Sequence, residues 1–277
     1  MAKRNGGLWV AVVLMIVLVF AFEIIPAGYI IISGFTSENS FTFQNYIKIF
    51  SERYYTQAMV NSIMISAVST VFGIIIGTAA ALCLRGMSGK LVNKFITFLN
   101  MTTNYSGIPL AFAFIVLLGS NGLVTLFCTK LLGISLYANG FNLYSWTGLV
   151  LVYVYFQIPL AVMLMYPAVD TIKDSVQEAA SMLGAGKLTF WFKVGIPMLL
   201  PALLGSICIL FANALGAYAT AYALVSSSKA IIAIAIANLI SGDVNADPNL
   251  ACALSTILGG ILMILVFIKS RINKRLA

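Results

Sequence analysis

The chain has 277 residues, 61% of them hydrophobic and only 9% charged, with a formal net charge of +8, whereas soluble domains carry about 25% charged residues. A soluble fold of this length has no interior large enough for that much apolar surface, and its charges would form a dispersed skin. Here they gather between long apolar runs, the pattern a bilayer imposes. The positive balance comes without a basic stripe of interleaved aromatics, which argues against nucleic acid. With no histidine, and with Cys83, Cys128, Cys208 and Cys252 isolated from one another, zinc and haem chemistry are disfavoured. All four cysteines read as small buried apolar residues.

A spanning helix needs about 20 mostly apolar residues, and six stretches qualify. The first runs from about Leu8 to Gly34. It follows Lys3 and Arg4 but exceeds the ~7–15 residue core of a secretory signal and lacks a clear cleavage site, so it reads as an anchored helix. It holds Glu23, the one acid inside an apolar run, which reads as a residue near the outer end facing another helix or the headgroups. Pro26 is expected to kink or end that helix.

The second run, Ala58 to Leu84, carries Gly73 and Gly77 as a G-x-x-x-G that suits close packing of two backbones. The third, Phe95 to Leu118, opens on a polar, breakable stretch: Thr102, Thr103, Asn104, Tyr105, Ser106, Gly107 and Pro109. Gly122 to Ile134 is too short to cross and reads as an interfacial or re-entrant helix. The fourth run is Trp146 to Pro167, the fifth Met198 to Val225 and the sixth Leu250 to Ile268. Asp247-Pro248-Asn249 reads as the capped start of the sixth; Asp243 and Asp247 could instead touch a solute-binding protein.

Alternate loops hold 12 Lys and Arg on one side and 4 on the other, together the 16 of the chain. Positive residues stay inside, so both termini are expected in the cytoplasm.

The longest connection on the basic side is Ala168 to Gly195. Ile172, Val176, Ala179, Ala180 and Leu183 fall on one helical face, which predicts an amphipathic helix outside the bilayer. Ser175 with Glu178 matches a capping box, and Gly184 suits a left-handed helix end. A second segment follows with Leu188, Trp191 and Phe192 on one side, before Pro197 and Pro201 open the fifth span. Gly184-Ala185-Gly186-Lys187 is not a phosphate loop, because Ser181 and Leu188 stand where Gly and Ser or Thr are required.

Glu178-Ala179-Ala180, three residues, Gly184, nine residues, then Val194-Gly195-Ile196-Pro197 resembles the EAA signature of permease subunits of bacterial binding-protein-dependent ABC importers. Val194 and Ile196 replace the signature's isoleucine and leucine. The resemblance implies an all-α membrane protein of six transmembrane helices with a cytoplasmic helix-turn-helix coupling segment between spans four and five. It implies an N-terminal helix and extracytoplasmic loop over residues 1–57, a transport core over 58–269 and a basic cytoplasmic tail over 270–277.

It further implies that Ser175, Val176, Glu178, Ala179, Ala180, Leu183 and Gly184 dock a cytoplasmic ATPase dimer that carries the ATP and magnesium, with no cofactor on this chain. A second permease subunit, by subfamily likeness a different chain rather than a copy, and an extracytoplasmic solute-binding protein complete the expected assembly in membrane lipid. Such importers line their path with the third and fifth spans. This makes Asn104, Tyr105, Ser106, Pro109, Asn213, Tyr218, Thr220 and Tyr222 candidate path residues, although the same residues suit close helix packing equally well. Subfamily likeness points to a polyamine, ferric iron or phosphonate as solute. The competing readings, a self-contained carrier or channel and an intramembrane enzyme, need buried acids, a histidine relay or a converged nucleophile that the sequence lacks.

Overall fold

The computed structural model describes residues 5–37, 40–226, 230–241 and 246–276; Lys3, Arg4, Lys229 and Asp243 lie outside them. Among the described residues, six helical segments are long and apolar enough to cross a membrane: Trp9–Gly34, Arg53–Arg85, Ile108–Leu131, Trp146–Asp170, Leu188–Leu215 and Pro248–Ile272. The chain divides into two compact units, Met1–Gln57 with Ala235–Ile261, and Ala58–Ile234 with Leu262–Ala277.

In the first unit, α1 (Asn5–Val19) continues through a π-helical turn at Phe20–Ile24 into α2 (Ile25–Gly34). Pro26 therefore does not end this helix. In an α-helix its ring would clash with the carbonyl four residues back. The wider turn, closed by Ile25 N–H donating to the Phe20 carbonyl, removes that clash. Glu23 sits inside the π turn and is exposed. A short hairpin, β1 (Thr36–Ser37) against β2 (Ser40–Phe41), leads to α3 (Gln44–Ser51).

The second unit holds most of α4 (Arg53–Arg85), then α5 (Gly89–Asn104), α6 (Ile108–Leu118), α7 (Leu123–Leu131) and α8 (Trp146–Asp170). It continues with α9 (Asp174–Met182), α10 (Lys187–Phe190), a π turn at Trp191–Gly195, α11 (Ile196–Leu215) and α12 (Tyr218–Val225). α13 (Ile232–Ser241) and α14 (Pro248–Leu276) complete the chain. Asp247 accepts from Leu250 N–H at 3.0 Å, so it caps α14 as its sequence context predicts.

Several expected spans are corrected. The third candidate span is Ile108–Leu131, so α7, expected as a separate interfacial or re-entrant helix, falls within it; the stretch Phe95 to Leu118 is two helices, broken where Gly107 takes a φ of +72°, a conformation glycine adopts without strain. The fifth span starts before Pro197 rather than at it. The π turn at Trp191–Gly195, closed by Ile196 N–H donating to the Trp191 carbonyl, carries the helix past that proline as the first π turn does past Pro26. The span then breaks after Leu215 instead of running to Val225. The cysteines are not buried as expected: Cys83 is exposed and Cys128, Cys208 and Cys252 are half-buried, and an apolar exterior is acceptable where lipid is the solvent.

Packing in the second unit rests on small residues, because lipid offers no hydrophobic drive for helices to associate. A Cβ on Gly73 would lie 2.7 Å from the Gln157 Cβ, and one on Gly77 would run into the Ala161 Cβ, so α4 and α8 meet backbone to backbone. Fully buried Gln157 donates to the Leu210 carbonyl at 2.8 Å and the Thr70 hydroxyl at 3.4 Å, tying α8 to α11 and α4. One apolar cluster centres on Leu110, Leu149, Val152 and Ala221, a second on Ala161, Met165, Leu210 and Phe190.

Candidate functional site

Two helix breaks face each other in the second unit. At the first, α5 ends at Asn104, and Tyr105, Ser106 and Gly107 intervene before α6 begins at Ile108 with Pro109 in its first turn. At the second, Gly216 ends α11 and Ala217, at φ −75° and ψ 66°, forms an inverse γ-turn closed by Tyr218 N–H donating to the Gly216 carbonyl at 2.8 Å. Irregular backbone at membrane depth persists only where protein or a cavity partners it. Both partners are present. The Thr220 hydroxyl donates to the Gly107 carbonyl at 3.4 Å, and the buried Tyr153 hydroxyl donates to the Ala217 carbonyl at 2.9 Å.

Between the breaks lies a cavity of about 470 Å³, within the usual range for small-molecule sites. Of the path residues expected from sequence, Ser106, Asn213, Tyr218 and Thr220 line it. Asn104, Tyr105, Pro109 and Tyr222 are not among its lining. Asn104 donates to the Asn100 carbonyl at 2.8 Å, Tyr105 to the Pro109 carbonyl at 3.2 Å, and Tyr222 stacks on Tyr218 with ring centroids 5.4 Å apart. Phe156 and Leu160 of α8 form an apolar wall that sequence reasoning missed; nothing in two apolar residues of a mostly apolar helix marks which face meets a cavity. The lining contains hydroxyls, one amide, one phenol and backbone groups, and no Asp, Glu, Lys or Arg. Such a wall makes neutral, reversible hydrogen bonds and offers no fixed charge to trap an ion.

Elsewhere in this unit, the segment between α8 and α11 forms a helix, a glycine turn and a helix. Asp174 opens α9 behind the N-cap residue Lys173, and no side chain caps the helix. The capping box is therefore corrected: Ser175 and Glu178 lie inside the helix, so neither hydroxyl nor carboxylate meets a free N-terminal amide. The far end is a Schellman arrangement, with Ala185 N–H donating to the Ala180 carbonyl at 3.0 Å, Gly184 N–H to that of Ser181 at 2.9 Å, and Gly184 at φ +80°.

The expected apolar face is split. Ile172 is buried in the turn before α9, and Val176 and Ala180 pack on the second apolar cluster. Ser175, Glu178 and Ala179 are exposed, and Leu183 is 89% exposed beside Met182 at 90%. In the following segment the buried residue is Phe190. Leu188 and Phe192 point outward, so the expected shared face of Leu188, Trp191 and Phe192 does not form. Arg85 of α4 reaches Asp174 at 2.6 Å and pins the start of α9.

The fold and the cavity define a polytopic helical membrane protein with discontinuous helices around a polar cavity, an arrangement typical of transporters. Residues 69–276 match the family described as "Binding-protein-dependent transport system inner membrane component", and the chain belongs to that family. It is 26% identical over 263 residues to the ferric transport system permease protein FbpB of Actinobacillus pleuropneumoniae, an alignment covering 93% of this chain and 37% of the relative. The chain thus spans little more than a third of the length of the ferric-transport relatives it matches. The spermidine/putrescine transport system permease protein PotB of Haemophilus influenzae is 24% identical, with 85% of this chain and 80% of PotB covered. Relatives named for trehalose, molybdenum and sulfate transport match at 24–28% identity. The fold resembles a chain in the crystal structure of a bacterial alginate ABC transporter bound to its periplasmic protein, with a TM-score of 0.78, 15% identity, and 99% and 96% of the two chains covered.

Proposed function

We propose that this chain is the membrane-spanning permease subunit of an ATP-driven importer, with the cavity between the two helix breaks as part of the solute path and α9 as the element that couples to a separate ATPase. The carrying observation is α9 itself. It is a short helix held from behind by Val176, Ala180 and the Arg85–Asp174 ion pair, and it presents Glu178, Ala179, Met182 and Leu183 outward. A surface of small residues flanked by one acid and two large apolar side chains fits a partner's groove, and Gly184 makes the bend that lets it project. Closure of a paired ATPase on ATP and magnesium would then move α9 as a rigid body.

In this reading α9 and both termini face the cytoplasm, following the excess of Lys and Arg in the loops on that side. A second permease subunit, favoured as a different chain, and an extracytoplasmic solute-binding protein complete the assembly. The solute expected from sequence is a polyamine, ferric iron or phosphonate; in this reading the solute-binding protein selects it, because the cavity wall carries no charged side chain that would discriminate among ions.

Gentle detergent extraction of the tagged chain from its native membrane, followed by identification of what co-purifies, tests this. An ATPase should accompany the wild type and be lost from Glu178→Lys and Gly184→Asp while the permease stays folded. A wild type that emerges alone, under conditions that preserve other membrane complexes, sinks the reading. The solute-binding protein that accompanies the complex identifies the solute.

A further inference from the structure

The helix that follows the first span carries an apolar stripe on its outside. Phe43, Ile47 and Phe50 are 60%, 62% and 63% exposed. At about 100° per residue they fall within an arc of about 60° on α3. Asn45 and Ile49 lie opposite them and are buried. Phe41, at 73% exposure, extends the stripe onto the hairpin, and its ring stacks on Phe35 at 5.4 Å. An exposed stripe of this kind on a water-facing loop costs free energy unless something apolar covers it.

The fixed points of α3 say what covers it. The Asn45 side chain donates to the carbonyl of Gly34, the last residue of the first span, at 3.1 Å, and to that of Thr36 at 3.0 Å. Lys48 pairs at 3.6 Å with Asp247, the residue that caps the sixth span. A Cβ on Gly34 would lie 3.0 Å from the Ala253 Cα and 3.0 Å from the Tyr46 hydroxyl. α3 is thus bolted, through its inner face, to the point where two spans leave the membrane on the same side. The last turns of the first span expose apolar side chains as well, among them Tyr29 and Ile32. Aromatic and aliphatic side chains at this depth are the residues that anchor proteins in the headgroup region.

We infer that α3 is an interfacial helix whose Phe43, Ile47 and Phe50 face is embedded in the boundary between lipid headgroups and acyl chains, fixing the depth of the first and sixth spans. Lys48, about 100° round the helix from Ile47, stays on the aqueous side with its partner Asp247.

Nitroxide labels on single cysteines at Ile47, Phe50 and Glu52 test this in the full-length protein, with Cys83, Cys128, Cys208 and Cys252 replaced by alanine and the protein reconstituted in phosphatidylethanolamine–phosphatidylglycerol vesicles. The ratio of collisions with oxygen to collisions with a water-soluble nickel chelate should be several-fold higher at Ile47 and Phe50 than at Glu52. A ratio equal to that at Glu52 places the stripe in water, and low accessibility to both reagents places it under another protein; either overturns the inference. Should the cysteine-free background fail to fold, the unaltered protein can be irradiated with a phospholipid carrying a diazirine beside its ester. Covalent lipid on the peptide containing Ile47 and Phe50 is then expected, and its absence, with labelling of the first span intact, overturns the inference equally.

Discussion

The Arg85 guanidinium and the Asp174 carboxylate meet at 2.6 Å across 89 positions of sequence, joining the last turn of α4 to the first turn of α9. Asp174 is exposed while Arg85 is largely covered. Exposed ion pairs contribute about 0.2–1 kcal/mol, so the pair matters more for where α9 points than for whether the protein folds. Arg85→Gln should leave the unfolding midpoint almost unchanged and lower solute-stimulated ATP hydrolysis in the assembled complex. The charge swap Arg85→Asp with Asp174→Arg should recover part of that loss. No recovery, with both variants folded, would remove the positioning role from the pair.

Gly184→Ala puts a side chain on a residue at φ +80°, a strain of about 1–2 kcal/mol for an L-residue. Gly186, which has no positive φ and would have nothing within 4 Å of an added Cβ, should accept alanine without effect. Amide exchange should speed up across the end of α9 in the first variant and not in the second, and ATPase retention should follow the same order.

Gly77→Val should destabilise by about 1–3 kcal/mol, the usual cost of overpacking, because the new side chain runs into Ala161 on α8. Gly28→Val, in open space on α2, is the control for added bulk alone. The comparison is read from thermal unfolding in detergent, and equal midpoints for the two variants would contradict the backbone contact between α4 and α8.

Tyr153→Phe strips the Ala217 carbonyl of its hydroxyl partner at the second helix break. Hydrogen bonds between membrane helices average about 0.6 kcal/mol, so the protein should fold while the break loosens. Solute uptake into vesicles should fall with ATPase binding unchanged. Asn213→Ala and Tyr218→Phe, which alter the cavity wall directly, should change the solute concentration needed for half-maximal uptake, again without releasing the ATPase.

Much of the site is legible in the amino-acid sequence. The apolar runs, the glycine stop at Gly184, the close-packing pair Gly73 and Gly77 and the Asp247 cap are local signals, each readable within a few residues because helix length, capping and left-handed φ are decided there. Ser106, Asn213, Tyr218 and Thr220 stand out as polar residues in apolar runs, and they do line the cavity. Asn104, Tyr105 and Tyr222 stand out equally and do not, because polarity along a chain does not say which groups are satisfied by their own neighbours.

By itself the sequence determined that the protein is membrane-spanning and helical, roughly where its spans lie, and that the segment after the fourth span bends at Gly184; these follow from apolar length and from single residues with restricted backbones. Only the tertiary structure decided that Thr220 meets Gly107 from 113 positions away, that Tyr153 holds Ala217 from 64 away, and that α3 is bolted to the ends of two spans. The two π turns were likewise hidden, since proline signals a break without saying how the helix accommodates it. Hydrophobic period and propensity carry information over a few turns of helix, whereas these pairings depend on which faces remain once every span has packed against its neighbours.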